Sequence, residues 1–157
     1  MKTRLRNWAG GLTVAGLLAV GTVGGYEGLR TRAYLDVVNV PTVCFGETRG
    51  VKLGDVYSKE QCGEMLGDAL IEFEQGMRKC LIAPDSIPDK PYVATLSLTY
   101  NIGVGAFCKS TVAKRFNVRD IKGACDAFLM WNKAGGRVIA GLTRRRQEER
   151  KLCLEGV

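Results

Sequence analysis

The sequence predicts a mainly helical α+β fold. A helical body carries a small β-hairpin lobe over about residues 33–57, and an N-terminal segment, residues 1–25, read as a signal-anchor, precedes a domain of residues 26–157. Three observations predict this. Two stretches, about 59–80 and 91–102, place apolar residues at helical spacing. Ala33-Tyr34-Leu35 and Val40 to Phe45 read as the short strands of a hairpin. Residues 8–25 carry no charge.

The N-terminal segment follows three cations, Lys2, Arg4 and Arg6, with no acid before residue 26. That is the layout of an export signal whose N-terminus is held in the cytoplasm. Eighteen residues at ~1.5 Å each give roughly 27 Å of helix, just short of a ~30 Å bilayer core. The stretch holds six Gly, three Ala and two Thr against six Leu or Val and one Trp. Each Gly disfavours helix by about 1 kcal/mol relative to Ala. Such a segment enters a membrane but is held weakly. Three readings stand: a cleaved signal with a small-x-small site at Ala19-Val20-Gly21, a permanent anchor, and a tether that later leaves the bilayer. The weak hydrophobicity favours the last.

The next segment carries the chemistry. Tyr26-Glu27-Gly28-Leu29-Arg30 leads through Ala33-Tyr34-Leu35-Asp36 to Thr42 and Phe45-Gly46-Glu47-Thr48. Gly28 sits where a chain leaves a helix, because Gly tolerates positive φ. A helix end, a turn and a strand bring Glu27 and Asp36 to opposite walls of one cleft. Hydrolysis of a glycosidic bond uses two carboxyl groups, one protonating the leaving oxygen and one ionised. A small hydroxyl such as Thr42 helps to hold water. Carboxylate pairs nine apart are common on surfaces, so spacing alone is weak. The flanking words carry the weight.

Helices account for the rest. Ser58-Lys59-Glu60-Gln61 is a capping box, and Cys62, Met65, Leu66, Ala69, Leu70, Phe73 and Met77 form the core stripe behind it. Pro84, Asp85, Pro88 and Asp89 mark a turn-rich connection. Pro91 fits the first turn of a helix that is apolar on most sides and so runs through the centre. Ser110 is placed to cap a short helix to Phe116, and Asp120 another through Trp131. Gly135-Gly136 breaks it, and Thr143 is read as the cap of a last helix, Arg144 to Leu154. Three cations in that helix's first turn oppose its dipole and invite a reason.

Net charge is +7, of which residues 1–25 supply +3. A basic surface favours an anionic partner, with nucleic acid, anionic lipid and acidic cell-wall polymer as candidates. The absence of His excludes a histidine base and a His-ligated metal. Six cysteines in a small chain with an export-like N-terminus suggest disulfides, and 15 connectivities are open. The preferred set is sequential, Cys44–Cys62, Cys80–Cys108 and Cys125–Cys153, each tying an element to its neighbour. No C-x-x-C pair supports zinc. No internal repeat or low-complexity linker is present.

Glu27, Asp36 and Thr42, with the words EGLR, AYLD and FGET, resemble the phage-type lysozymes (glycoside hydrolase family 24) over about residues 26–154. The resemblance implies a lysozyme-like, two-lobed domain with its cleft between hairpin lobe and helices. It implies peptidoglycan as substrate, cut at the β-1,4 bond between N-acetylmuramic acid and N-acetylglucosamine. Glu27 is then the general acid. Asp36, ionised, supports the attacking water and the positive charge developing on the sugar, and Thr42 helps place that water. Family members invert the anomeric centre, which depends on the carboxyl separation in space. Neither cofactor nor metal is implied.

The resemblance also places an arginine beside the catalytic Glu, with Arg144 the candidate and Arg145 next, against a solvated basic face. Asn101 is a candidate sugar ligand, against a plain helix end. Relatives released from membranes support the first and third cysteine pairs. Some similar phage endolysins use a signal-anchor-release segment. On that pattern this chain is exported, tethered to the host inner membrane through residues 8–25 facing the periplasm, inactive while tethered, and then released. Relatives that reshuffle a disulfide use a cysteine inside the anchor, and this anchor has none. Two departures stand out: the long apolar N-terminus, and Pro41 before Thr42 where an aromatic is commoner. A monomer is expected. The rival readings are an exported, non-catalytic peptidoglycan-binding or membrane-perturbing protein, and a nucleic-acid binder, which export argues against.

Overall fold

A computed structural model describes residues 2–157. The chain divides into two compact units, Arg4–Ile71 and Glu72–Val157, the latter joined by the first residues through Thr3.

The unit Arg4–Ile71 opens with a tight reversal. Arg6 bridges Leu12, and the Asn7 side chain accepts from the N–H groups of Ala9 and Gly11, each at 3.0 Å. Thr13 then caps helix α1, Val14–Glu27, its hydroxyl accepting from Gly16 N–H at 3.0 Å. The expected apolar span is therefore divided into a turn near residues 7–11 and a 14-residue helix. No helix among the described residues is long and apolar enough to cross a membrane. α1 instead buries Ala15, Gly16, Ala19, Val23 and Gly24. Residues 14–25 and Glu27 thus share one helix.

Gly28, at φ 75°, ends α1, and its N–H returns to the Gly24 carbonyl at 3.1 Å. Strands β1, Arg30–Leu35, and β2, Pro41–Cys44, form the expected hairpin, with Tyr34 opposite Thr42 and Leu35 opposite Pro41. Pro41 lacks an N–H and sits at the first position of its strand, where Pro is tolerated. Ala33 N–H donates to Asp55 O and Tyr57 N–H to Thr31 O, both at 2.9 Å, which lays residues 55–57 along β1. The Cys44–Cys62 disulfide, with Cα atoms 4.9 Å apart, ties the hairpin to helix α2, Lys59–Lys79. The capping box forms as read: Gln61 N–H donates to Ser58 Oγ at 3.1 Å, and Ser58 N–H to Gln61 Oε1 at 2.8 Å. α2 starts in this unit and ends in the other.

In the unit Glu72–Val157 the central helix is α3, Asp89–Ile102, with every residue from Pro91 to Thr99 buried. It packs most extensively against the last helix, α7, Ala140–Leu154. Thr95 and Thr99 satisfy their hydroxyls on carbonyls one turn back, at 2.7 and 2.8 Å. Between them lie α4, Val104–Lys109, α5, Thr111–Asn117, and α6, Ile121–Ala127. Ser110 and Asp120 cap α5 and α6 as expected. Disulfides Cys80–Cys108 and Cys125–Cys153 complete the preferred set, with Cα separations of 5.3 and 5.6 Å.

The C-terminal region departs from the sequence reading in three places. α6 stops at Ala127 and passes through a tight 3-10 turn, Phe128–Met130, rather than reaching Trp131. Gly135 and Gly136, at φ 57° and 77°, form the two-residue turn of a small hairpin of β3, Lys133–Ala134, and β4, Arg137–Val138. α7 begins at Ala140, and Thr143 is not its cap: the Thr143 hydroxyl donates to Ile139 O at 3.2 Å, inside the helix. Ile139 N–H, bonded to Asn132 O at 2.9 Å, closes the small hairpin and so sets the earlier start. Arg144–Arg146 therefore lie in the second turn, where the dipole conflict fades.

Candidate active site

Glu27 is exposed and is the last residue of α1. One turn of chain, through Gly28, separates it from β1. Asp36 lies just past the end of β1, in the hairpin turn. Its Oδ1 accepts from Val38 N–H and Val40 N–H, both at 2.9 Å. Its own N–H donates to Val40 O, and its carbonyl accepts from Asn39 N–H, each at 3.0 Å. Asn39 takes φ 60°, a conformation that Asn tolerates better than most residues. The turn thus fixes the Asp36 carboxylate by one oxygen, and among the described residues Oδ2 has no partner.

Thr42 follows on β2 and is 4% exposed. Its hydroxyl donates to Val40 O at 2.9 Å. Val40 therefore links the two side chains, through its N–H to Asp36 and through its carbonyl to Thr42. The FGET word is structural. Val43 and Glu47 exchange both backbone hydrogen bonds at 2.9 Å. The Glu47 carboxylate accepts from the N–H groups of Thr48 and Arg49 at 3.0 and 2.9 Å. Partial burial raises the Glu47 pKa, but Arg49 and these donors outweigh it and hold the carboxyl below its ordinary value.

The other candidates lie in the unit Glu72–Val157. Arg144 is exposed, while Arg145 is 8% and Arg146 0% exposed. Both buried arginines meet the fully buried Glu149: Arg145 Nε at 3.1 Å from Oε1, Arg146 Nε at 2.7 Å from Oε2. Arg146 Nη1 donates to Asn101 Oδ1 at 2.9 Å and to Trp131 O at 3.3 Å. Ser97 donates to Glu149 Oε1 at 2.7 Å. Sequence reasoning missed Arg146, Glu149 and Ser97. The signal was available: Glu149 stands three and four residues beyond the two arginines, on one helix face. Asn101, Ile102, Trp131, Leu142 and Arg146 are among the residues lining a cleft of about 320 Å³. Among the described residues, no cluster of three or more His, Cys, Asp or Glu is placed to hold a metal ion.

The family model for phage lysozyme matches residues 24–149. The SAR-endolysin of Bacteriophage PS119 is 38% identical over 150 residues, covering 94% of this chain and 89% of that protein. The SAR-endolysin of Pseudomonas phage phiKMV is also 38% identical, over 99% of this chain and 94% of its own length. A crystal structure of a P22 lysozyme mutant superposes with a TM-score of 0.80 at 34% identity, covering 87% of this chain and 95% of that one. In sequence and in fold, the chain belongs to the phage lysozyme family.

Proposed function

We propose that the chain is a phage endolysin that cuts the β-1,4 bond between N-acetylmuramic acid and N-acetylglucosamine in peptidoglycan, exported and tethered by residues 1–25 and active once released. The single observation that carries this is the position of Glu27 as the last residue of a helix built from the apolar segment itself. While residues 8–25 span a bilayer, Glu27 lies at the lipid surface. When residues 14–25 fold into α1, Gly28 turns the chain into the hairpin that carries Asp36 and Thr42.

Each residue has a distinct task. Glu27 protonates the leaving oxygen. Asp36, held by Oδ1, offers Oδ2 to the attacking water and the developing sugar cation. The Thr42 hydrogen is committed to Val40 O, so toward water the hydroxyl acts as an acceptor and orients it. Arg144 and Arg145 are the cations proposed to orient Glu27. The similarity to the SAR-endolysins of PS119 and phiKMV supports the tether and release.

The test is turbidity loss of purified peptidoglycan with the wild type and with Glu27→Gln, followed by product analysis. Clearing by the wild type alone, with new reducing sugar ends, is the expected outcome. Clearing by both or by neither sinks the reading.

A further inference from the structure

We infer that the connection after α2 and the turn between α5 and α6 form a docking face for an anionic phospholipid bilayer, on which the released protein settles. The face lies wholly within the unit Glu72–Val157, and the inference does not depend on the proposed cleavage.

Charge is the first observation. Residues 109–122 hold Lys109, Lys114, Arg115, Arg119 and Lys122 against one acid, Asp120, which is more than half of the net charge of +7. Asp120 pairs with Arg115 at 3.0 Å and caps α6. Asp85, on the neighbouring connection, is taken by Lys2 and Arg78 at 2.7 and 2.9 Å. Among the described residues, Lys109, Lys114, Arg119 and Lys122 have no acidic partner, and all four are exposed. The Cys80–Cys108 disulfide joins the ends of α2 and α4, which sets the exposed Lys79 beside Lys109.

Shape is the second. Asn117 Oδ1 accepts from Ile82 N–H at 2.8 Å, and its Nδ2 donates to Cys80 O at 2.9 Å. One side chain thereby fastens the connection after α2 to the end of α5. Ile82 and Val118 stand beside it, 81% and 72% exposed. Val118 N–H reaches back to Lys114 O at 3.2 Å, so Lys114 shares its side of the helix. Arg119 follows at φ 62° and lines, with Ser86, Ile87, Phe116 and Ile121, a cavity of about 260 Å³.

Single exposed aliphatic residues are ordinary on a surface. Two held at one joint inside a basic field make an interfacial anchor: the alkyl groups enter the headgroup boundary while the cations meet phosphates. The Arg119 cavity, mostly apolar with one guanidinium, suits a headgroup phosphate and its glycerol stem. A nucleic-acid strand is held instead by cations with exposed aromatic rings. The one aromatic residue in 109–122 is Phe116, which is buried. An acidic wall polymer gives Ile82 and Val118 nothing apolar to enter.

The experiment mixes the released, full-length protein with vesicles of phosphatidylethanolamine and phosphatidylglycerol, or of phosphatidylcholine alone, and reads the bound fraction by sedimentation. Binding is expected to the anionic vesicles only, and should fall as salt rises, because the charges are exposed. Lys114→Gln with Arg119→Gln should weaken it by about tenfold or more. Ile82→Ser with Val118→Ser should weaken it by about tenfold. All four positions are exposed, so the melting temperatures should stay close to wild type. Wild-type binding to neither vesicle, or equally to both, overturns the inference. Unchanged binding by both variant pairs overturns it as well, and assigns the membrane contact to residues 8–25. A loss confined to one pair also overturns it: the charge pair alone marks an acidic polymer, the apolar pair alone an uncharged surface.

Discussion

A β-carbon on Gly16 would lie 2.1 Å from the carbonyl oxygen of Leu5. That backbone approach is available only to glycine. It is how α1 packs beside the residues that precede it, with Leu5 fully buried. Gly21, by contrast, faces open space. The glycines of the apolar segment therefore differ in what the fold asks of them: Gly16 is required by the packing against Leu5, and Gly21 is not.

Gly16→Ala is expected to destabilise the folded enzyme by about 1–3 kcal/mol, because the neighbour is backbone and must shift. Gly21→Ala should stabilise it by roughly 0.5–1 kcal/mol through helix propensity. Thermal or urea unfolding of the purified protein reads both. Equal effects of the two substitutions would show that α1 does not pack against Leu5 as described.

Gly21→Leu separates folding from membrane retention. The position is exposed, so the folded enzyme tolerates the side chain, while the tethered segment gains a strong hydrophobe. The expected result is a larger fraction pelleting with membranes, slower lysis after expression, and unchanged specific activity in the released fraction. Unchanged partitioning would show that residues 8–25 do not determine retention.

The hairpin makes the role of Thr42 testable. Thr42→Ser keeps the hydroxyl and its bond to Val40 O, so activity should stay within a few-fold. Thr42→Val removes it, with a loss of about 1 kcal/mol in stability and a much larger loss in kcat. Asp36→Asn should lower kcat by orders of magnitude while the melting temperature stays close to wild type. A folded and fully active Asp36→Asn would remove Asp36 from the chemistry.

Much of this was legible in the sequence, for local reasons. Gly28, the Ser58–Gln61 box, Ser110 and Asp120 are backbone signals whose meaning is fixed within four residues. They mark helix ends where the structure has them. What escaped reading depends on distant partners. Thr143 has the right type for a cap, but the bond between Ile139 and Asn132 starts α7 four residues earlier. The Arg144–Arg146 run reads as a basic surface. Burial of Arg145 and Arg146 becomes visible only once α3 brings Ser97 beside Glu149 and Arg145, and Asn101 beside Arg146. Gly135-Gly136 is read as a helix break, yet the strands it joins are two residues each, too short to show alternation.

Tyr92 is fully buried, and its hydroxyl donates to the fully buried Glu74 carboxylate at 2.6 Å while accepting from Arg78 at 3.1 Å. Burial, followed by Glu74, pushes the phenol well above its ordinary value of 10.0. A group whose folded pKa is raised gives stability that is fully present below the unfolded value. That stability drains away as pH rises through the folded value. The wild type should therefore lose stability progressively above about pH 10. Tyr92→Phe removes the titrating group and should flatten that limb. It also leaves Glu74 short of a donor, so stability at neutral pH should drop by about 1–3 kcal/mol. Urea midpoints measured between pH 7 and 11 for both proteins give the comparison. Parallel curves would show that Tyr92 does not carry the alkaline loss.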